Sequence, residues 1–291
     1  MSPVVAVAKA TVREASRKKL VLALGLITVV GIALTGFGFW RLTILAGEVV
    51  GGGPRLSGAE ERTVISQLLI LVMFAFSFVL ALSTVFMAAP TIAGELESGV
   101  AAAVLTRPLR RVELLAGKWL GLCVLTAGYV AVASGLEFLV VRVVTGYRPP
   151  HPFEFFLFLT GEALVTLTLT TLISTRLSPV TGGVVALGGF MLAWMGGIAV
   201  ALGQVLNIHA VAVVGTVTRL LMPSDGLWRG AVYSLEPAAV IAGVLGTGRT
   251  QAAANPFFAS SGPPAAYVLW AIAWAVAVFA AAAWSFRRRE I

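Results

Sequence analysis

The ionisable side chains of this chain are few, and their positions decide which chemistries are open to it. The densest group outside the termini lies in Thr91–Lys118, TIAGELESGVAAAVLTRPLRRVELLAGK, which carries Glu95, Glu97, Arg107, Arg110, Arg111, Glu113 and Lys118 between two long apolar runs. Such charges cannot lie unpartnered in hydrocarbon, so the stretch belongs on a water-facing side of a membrane. Two more acids, Glu137 and Glu162, fall inside apolar runs, where an ionisable residue is a functional candidate by default. Each lies about seven residues, or about 10 Å, from the outer end of its run. The two runs are consecutive and antiparallel, so the acids are expected to share a depth and could line a pathway; satisfaction by Arg142 or interfacial water is the plainer alternative. His151 and His209 are isolated and Cys123 stands alone in an apolar run, so neither a metal site nor a disulfide is expected. No HExxH run, Ser/His/Asp set or Walker motif occurs. Gly51-Gly52-Gly53-Pro54 lacks the Lys-Ser/Thr of a nucleotide loop. No catalytic residue is therefore assigned, and the chain is not expected to be an enzyme.

The elements that position these groups must be membrane helices. Of 291 residues 58% are apolar and 12% charged, and mean hydropathy is +0.95, against roughly 25% charged in a soluble protein. A net charge of +8 would suggest nucleic acid in a soluble protein; here the cations flank apolar runs, so topology explains them and no nucleic-acid partner is expected. Six runs are long enough to cross a bilayer, which takes roughly 20 helical residues: 20–40, 64–89, 114–144, 155–177, 180–202 and 265–286. The fold class is all-α, a single polytopic transmembrane domain over 1–291. The four lysines (Lys9, Lys18, Lys19, Lys118) and Arg287, Arg288 and Arg289 fall on the face shared with the N-terminus. Positive-inside orientation places both termini in the cytoplasm. No A-x-A-like cleavage site follows the first run, which reads as a retained anchor.

Around the spans the sequence predicts further elements. Residues 1–19 form a cytoplasmic amphipathic helix with Lys9, Arg13, Arg17, Lys18 and Lys19 on its basic side, suited to anionic headgroups. Pro90 closes the second span, Thr91 caps a short helix over 91–107, and Pro108 ends it. The segment 203–264 lies outside, with two semi-apolar stretches, 205–222 and 230–245, divided by Pro223-Ser224-Asp225-Gly226; Arg219 and Glu236-Pro237 disfavour full spans. They read as interfacial helices or a re-entrant pair over the exit. In the fifth span Gly182, Gly189, Gly196 and Gly203 recur every seven residues, a stripe that lets another backbone approach closely. That stripe serves either packing within the chain or a seam between two copies. Phe190, Met191, Trp194 and Met195 are soft side chains suited to an apolar pathway, or to lipid.

The charged stretch resembles the signature of ABC-2-type transporter permeases: a Glu-x-Glu-x-Gly run, an apolar helix, then Pro-x-Ser-Arg and Gly-Lys. The chain has Glu95, Glu97, Ser98, Gly99, Leu105, Pro108, Arg111, Gly117 and Lys118 at matching positions. It departs at Val100, usually Thr, and at Arg110, often Ser. The resemblance implies that 91–107 is a cytoplasmic coupling helix docking on separate ABC ATPase subunits, which bind ATP and Mg²⁺, and that this chain holds no cofactor. It implies coupling roles for Glu95, Glu97, Ser98, Gly99, Arg107, Pro108, Arg110, Arg111 and Lys118, a second permease copy, and an exporter in a prokaryotic inner membrane. Some relatives instead serve copper-enzyme assembly, which keeps an accessory role in maturing an extracytoplasmic metalloenzyme open. An intramembrane enzyme has only Glu137 and Glu162 to draw on.

Overall fold

The computed structural model describes residues 2–48, 58–97, 109–246, 255 and 257–289. Among these every regular element is helical: α1 (Pro3–Ala15), α2 (Lys19–Glu48), α3 (Gly58–Ala89), the short α4 (Glu95–Glu97), α5 (Arg111–Thr145), α6 (Pro152–Ser174), α7 (Pro179–Val205), α8 (His209–Leu221), α9 (Ser224–Leu235), α10 (Ala238–Gly246) and α11 (Ala265–Arg287). Six of them, α2, α3, α5, α6, α7 and α11, are long and apolar enough to cross a membrane. The chain is an all-α polytopic membrane protein. Local chemistry sets the boundaries. Ser2 and Ser178 cap α1 and α7, each accepting from a backbone N–H three residues on at 3.4 Å, with proline at the next position where the missing N–H costs nothing. Gly146, at φ 73°, supplies the left-handed residue that ends α5.

The centre of the bundle is α6, which touches α3, α5, α7, α9 and α11. It is rich in threonine, and Thr166, Thr168, Thr170 and Thr171 each donate to the carbonyl four residues back at 2.6–3.1 Å. Hydroxyls that satisfy themselves on their own helix can be buried where no water can reach them. Phe155, Leu159 and Leu167 fill the spaces between. By contrast α2 and α11 are peripheral, with only 11% of their most apolar windows buried. The end carrying α1 and the C-terminus is here called the basic end.

Two expectations are corrected. Pro90 does not close α3. The chain continues through a π-helical turn, Pro90–Gly94, directly into α4. Proline cannot donate to the preceding turn, and the wider winding accommodates its ring without breaking the helix. Thr91 accordingly caps nothing: its hydroxyl donates to the Met87 carbonyl at 2.6 Å. Residues 98–108, including Ser98, Gly99, Arg107 and Pro108, and the Gly51–Pro54 run lie outside the described residues.

The second concerns helix bounds within 203–264, whose helices follow the re-entrant one of the two expected courses. α7 runs to Val205, Asn207 turns the chain with φ 55°, and Ile208 N donates to Gly203 O at 2.8 Å. α8 then folds back along α7: Gly203 faces Ala212, Gly196 faces Gly215 and Thr218, and Gly189 faces Met222. Gly189 is near the middle of α7, so α8 reaches mid-bundle and is re-entrant. α9 starts there, at Ser224, and returns along α6 until Ser234 O accepts from His151 N at 3.1 Å. The expected divider Ser224-Asp225-Gly226 is thus the first turn of α9, and Glu236-Pro237 splits the expected 230–245 stretch. Three ring donors of α11 end α8: Tyr267 Oη to Arg219 O at 3.3 Å, Trp270 Nε1 to Leu220 O at 3.1 Å, and Trp274 Nε1 to Leu221 O at 2.8 Å. They satisfy carbonyls that every helix end leaves unpaired.

Candidate functional site

At the basic end, the elbow formed by Pro90–Glu97 is tied to two other helices. Glu95 and Lys118 form an ion pair with side chains 18% and 9% exposed. The same ammonium donates to Thr91 O at 3.1 Å. From the turn between α1 and α2, Lys18 Nζ reaches Thr91 Oγ1 at 3.4 Å while pairing with Glu14 of α1 at 3.0 Å. Glu95 and Lys118 therefore face each other inside the chain, whereas Glu97 is exposed. Amphipathic α1 lies on α5 at the same level. A Cβ on Gly117 would stand 2.5 Å from Val7 Cβ, and one on Gly121 would stand 2.7 Å from Ala8 O. These two glycines let the α1 backbone press against α5.

A second set of contacts at this end joins α5, α6 and α11. Arg111 donates to the carbonyls of Arg287 and Arg289, a cation on a helix C-terminus where the dipole favours it. Arg176 donates to Ser285 Oγ at 2.8 Å and Ser285 O at 3.2 Å, and Arg289 donates to Thr175 O at 2.6 Å. Arg110 contributes through its backbone, whose N–H reaches Glu113 Oε2 at 2.9 Å and caps α5. Sequence reasoning missed Lys18, Arg176, Ser285 and Arg289. Only the Glu14–Lys18 spacing of four signalled any of them.

The two intramembrane acids are each buried to 4% exposure, but they do not meet. Glu162 accepts from Ser77 Oγ at 3.0 and 3.1 Å, in the packed core between α3 and α6. Glu137 lines a separate cavity of about 270 Å³ between α2, α3 and α5, with Thr28, Thr35 and apolar side chains. Its Oε1 has no hydrogen-bond partner among the described residues. Arg142 is exposed and forms no ion pair there among those residues. Toward the opposite end, Glu236 is 2% exposed and burial raises its carboxyl to about 7. Burial, with the nearby Glu236 carboxyl, raises the neighbouring Tyr147 phenol to about 12; that hydroxyl donates to Leu235 O at 2.9 Å.

The charged elbow thus joins α3 to α5 on the face of the six-span bundle that carries α1. A family profile described as ABC-2 family transporter protein matches residues 5–291. The chain belongs to that family. It is the membrane-spanning permease component of an ABC transporter, and membership implies association with an ABC ATPase. A search of curated proteins gives no match.

In this ABC-2 permease the seven-residue glycine stripe faces its own chain. Gly182 packs on Ile173 and Ser174 of α6, Gly189 on Leu169 and Met222, Gly196 on Thr218, and Gly203 on Ala212. The close approach those glycines permit is to α6 and to re-entrant α8, so they are not free to form a seam with a second copy. The pathway candidates also divide. Phe190 is buried, Trp194 stacks on Phe74 at 5.5 Å and Phe78 at 6.0 Å, and Met191 packs beside them, while Met195 points out of the bundle at 59% exposure. Phe190 is core, Met191 and Trp194 are half-buried against the bundle, and Met195 is open to lipid or a partner.

Proposed function

We propose that this permease is the membrane half of an exporter in a prokaryotic inner membrane, working as two copies with two cytoplasmic ATPase subunits. The basic end faces the cytoplasm, as its lysines and arginines favour. The ATPases bind ATP and Mg²⁺; this chain supplies the surface they move. Closure of the ATPases displaces the coupling stretch around Glu97–Arg111, and the push enters the bundle at the elbow. The observation that carries this reading is Lys118, which grips both the Glu95 carboxylate and the Thr91 carbonyl. Through it a displacement of the elbow reaches α5 directly, and Lys18 passes it to α1. In this reading Glu97, Arg110 and the exposed part of the stretch meet the ATPase, while Glu95 and Lys118 transmit.

A second copy needs an open face. On α7 that face is Val180, Val184, Gly188, Leu192 and Met195, turned roughly 100° from the glycine stripe, and nothing lies within 4 Å of a Cβ placed on Gly188. Two such faces brought together would form a seam along the translocation path. The test is co-purification of the cognate ATPase with the permease and with a variant lacking residues 91–113. Retained ATPase would refute the docking role. Reversing Glu97 to Arg should leave expression unchanged and separate ATP hydrolysis from transport; wild-type transport would refute the coupling role.

A further inference from the structure

Away from the basic end, the re-entrant pair builds a second polar site inside the bundle. Arg219 Nε lies 2.7 Å and Arg229 Nε 3.1 Å from the same oxygen, Asp225 Oδ2. Asp225 is buried against Gly197, where a Cβ would stand 2.1 Å from its Oδ1. The Arg229 fork is fixed further by a 3.1 Å bond to Gly197 O, and Arg219 lies over the Tyr267 ring at 5.8 Å. Both arginines line a cavity of about 400 Å³ with Gln204, Ser260, Ser261 and Tyr267; Asp225 lies behind them and does not line it. The cavity runs from Gln204, at the far end of α7, down to the level of Gly197, about 10 Å deeper at 1.5 Å per residue.

The charges here do not cancel in pairs. A guanidinium cannot shed its proton, so two cations share the one carboxylate that pairs with them among the described residues. Glu162, the next acid, is held by Ser77 and does not line the cavity. Asp225 lies against the Nε edges and Gly197 O takes one terminal nitrogen of Arg229, which leaves the remaining terminal guanidinium donors for a ligand in the cavity that both arginines line with Gln204, Ser260 and Ser261. Those guanidinium donors, with the hydroxyl and amide donors of the lining, outnumber the two oxygens of a carboxylate and suit a tetrahedral anion. We propose that this cavity binds a phosphate ester entering from the side opposite the basic end, as a phospholipid headgroup or as a soluble phosphate. The proposal concerns this chain alone and holds whichever way the transporter moves its substrate.

The test uses the full chain in phosphatidylcholine nanodiscs, with phosphatidylglycerol titrated into the disc in one arm and glycerol-1-phosphate added to solution in the other. Native mass spectrometry and quenching of tryptophan fluorescence report binding. Phosphatidylglycerol alone binding makes the lipid the source, and glycerol phosphate binding as well makes the headgroup sufficient; either result supports the site. Arg219→Gln strips Asp225 of a partner and so tests folding as much as binding. The deciding variant is therefore Ser260→Asp with Ser261→Asp, both exposed, which adds negative charge and leaves the Asp225 pairs intact. It should keep the wild-type melting temperature in pure phosphatidylcholine and lower affinity at least tenfold. Binding of neither probe, or binding unchanged in that double variant, overturns the proposal.

Discussion

Replacing Glu95 with Gln takes the charge away from Lys118 but leaves its ammonium where water barely reaches. Removing one partner of a buried pair costs about 3–5 kcal/mol. The pair here is not fully dry, with Glu95 at 18% and Lys118 at 9% exposure, and the ammonium keeps its bond to Thr91 O at 3.1 Å. Both facts place the expected loss at the lower end, about 3 kcal/mol. Lys118→Met removes the ion pair and the charged bond to Thr91, but Glu95 is the more exposed partner, so about 2 kcal/mol is expected. The double variant leaves no orphaned charge and should cost about 3 kcal/mol, not 5, a coupling of about 2 kcal/mol. Steric-trapping or SDS-unfolding measurements in bicelles on the four proteins would give that number. If the two single losses simply add, to within about 0.5 kcal/mol, the pair carries no energy and the elbow is not pinned as described. With the ATPase present, Glu95→Gln should also lower transport per ATP hydrolysed, because the elbow then moves without moving α5.

Three further outcomes follow from other contacts. Gly117→Val or Gly121→Val should lift α1 off α5 at a cost of about 1–3 kcal/mol, whereas Gly128→Ala and Gly135→Ala, with nothing within 4 Å, should stabilise α5 by up to about 1 kcal/mol; melting curves of the four variants decide it. Burial raises the Glu236 carboxyl from 4.5 to about 7, so the folded state binds the extra proton; stability from this group is full below about pH 4.5 and falls as pH rises through 7, and Glu236→Gln should remove that slope between pH 5 and 8 in melting measurements. Since the one native cysteine, Cys123, is buried, Gly188→Cys or Leu192→Cys should cross-link between copies in membranes while Gly196→Cys does not; cross-linking by Gly196→Cys alone would return the seam to the glycine stripe.

The spans were legible because each is a long apolar run whose length the bilayer dictates, and no competing structure satisfies the backbone in lipid. The elbow was legible as a water-facing charge cluster, but not its internal wiring. Glu95 and Lys118 are 23 residues apart, Lys18 and Thr91 are 73 apart, and no periodicity encodes which charges turn inward to meet. The glycine stripe shows the same limit. Spacing established a face permitting close approach, yet whether α8 or a second copy fills it depends on where 206–222 goes. That in turn was hidden because α8 is apolar enough for lipid and too short to span, so sequence left it between interface and interior. The three ring donors of α11 that end it, Tyr267, Trp270 and Trp274, are spaced for one helix face, and this is the only local trace of the re-entrant path.

The two ends of the molecule hold charge in different ways, and the difference bears on how motion could pass between them. At the basic end Lys18, Lys118, Arg111, Arg176 and Arg289 each reach atoms of another element, so these charges join α1, α3, α5, α6 and α11 and movement of one must be shared. Toward the other end Arg219, Arg229 and Asp225 all belong to the re-entrant pair, which is hydrogen-bonded to α7 and α11 but meets α3 through aromatic surface. Phe74, on α3, lies 5.6 Å from Trp228 of α9, 5.5 Å from Trp194 of α7 and 4.9 Å from Phe257. Ring contacts have no fixed donor–acceptor geometry and allow sliding that ion pairs resist. α3 is the element common to both ends, running unbroken from Gly58 and through the π-turn into the elbow. In the proposed coupling a push on the elbow moves α3 together with α5 at one end, and at the other shears it past α9, which it meets through Phe74 and Trp228.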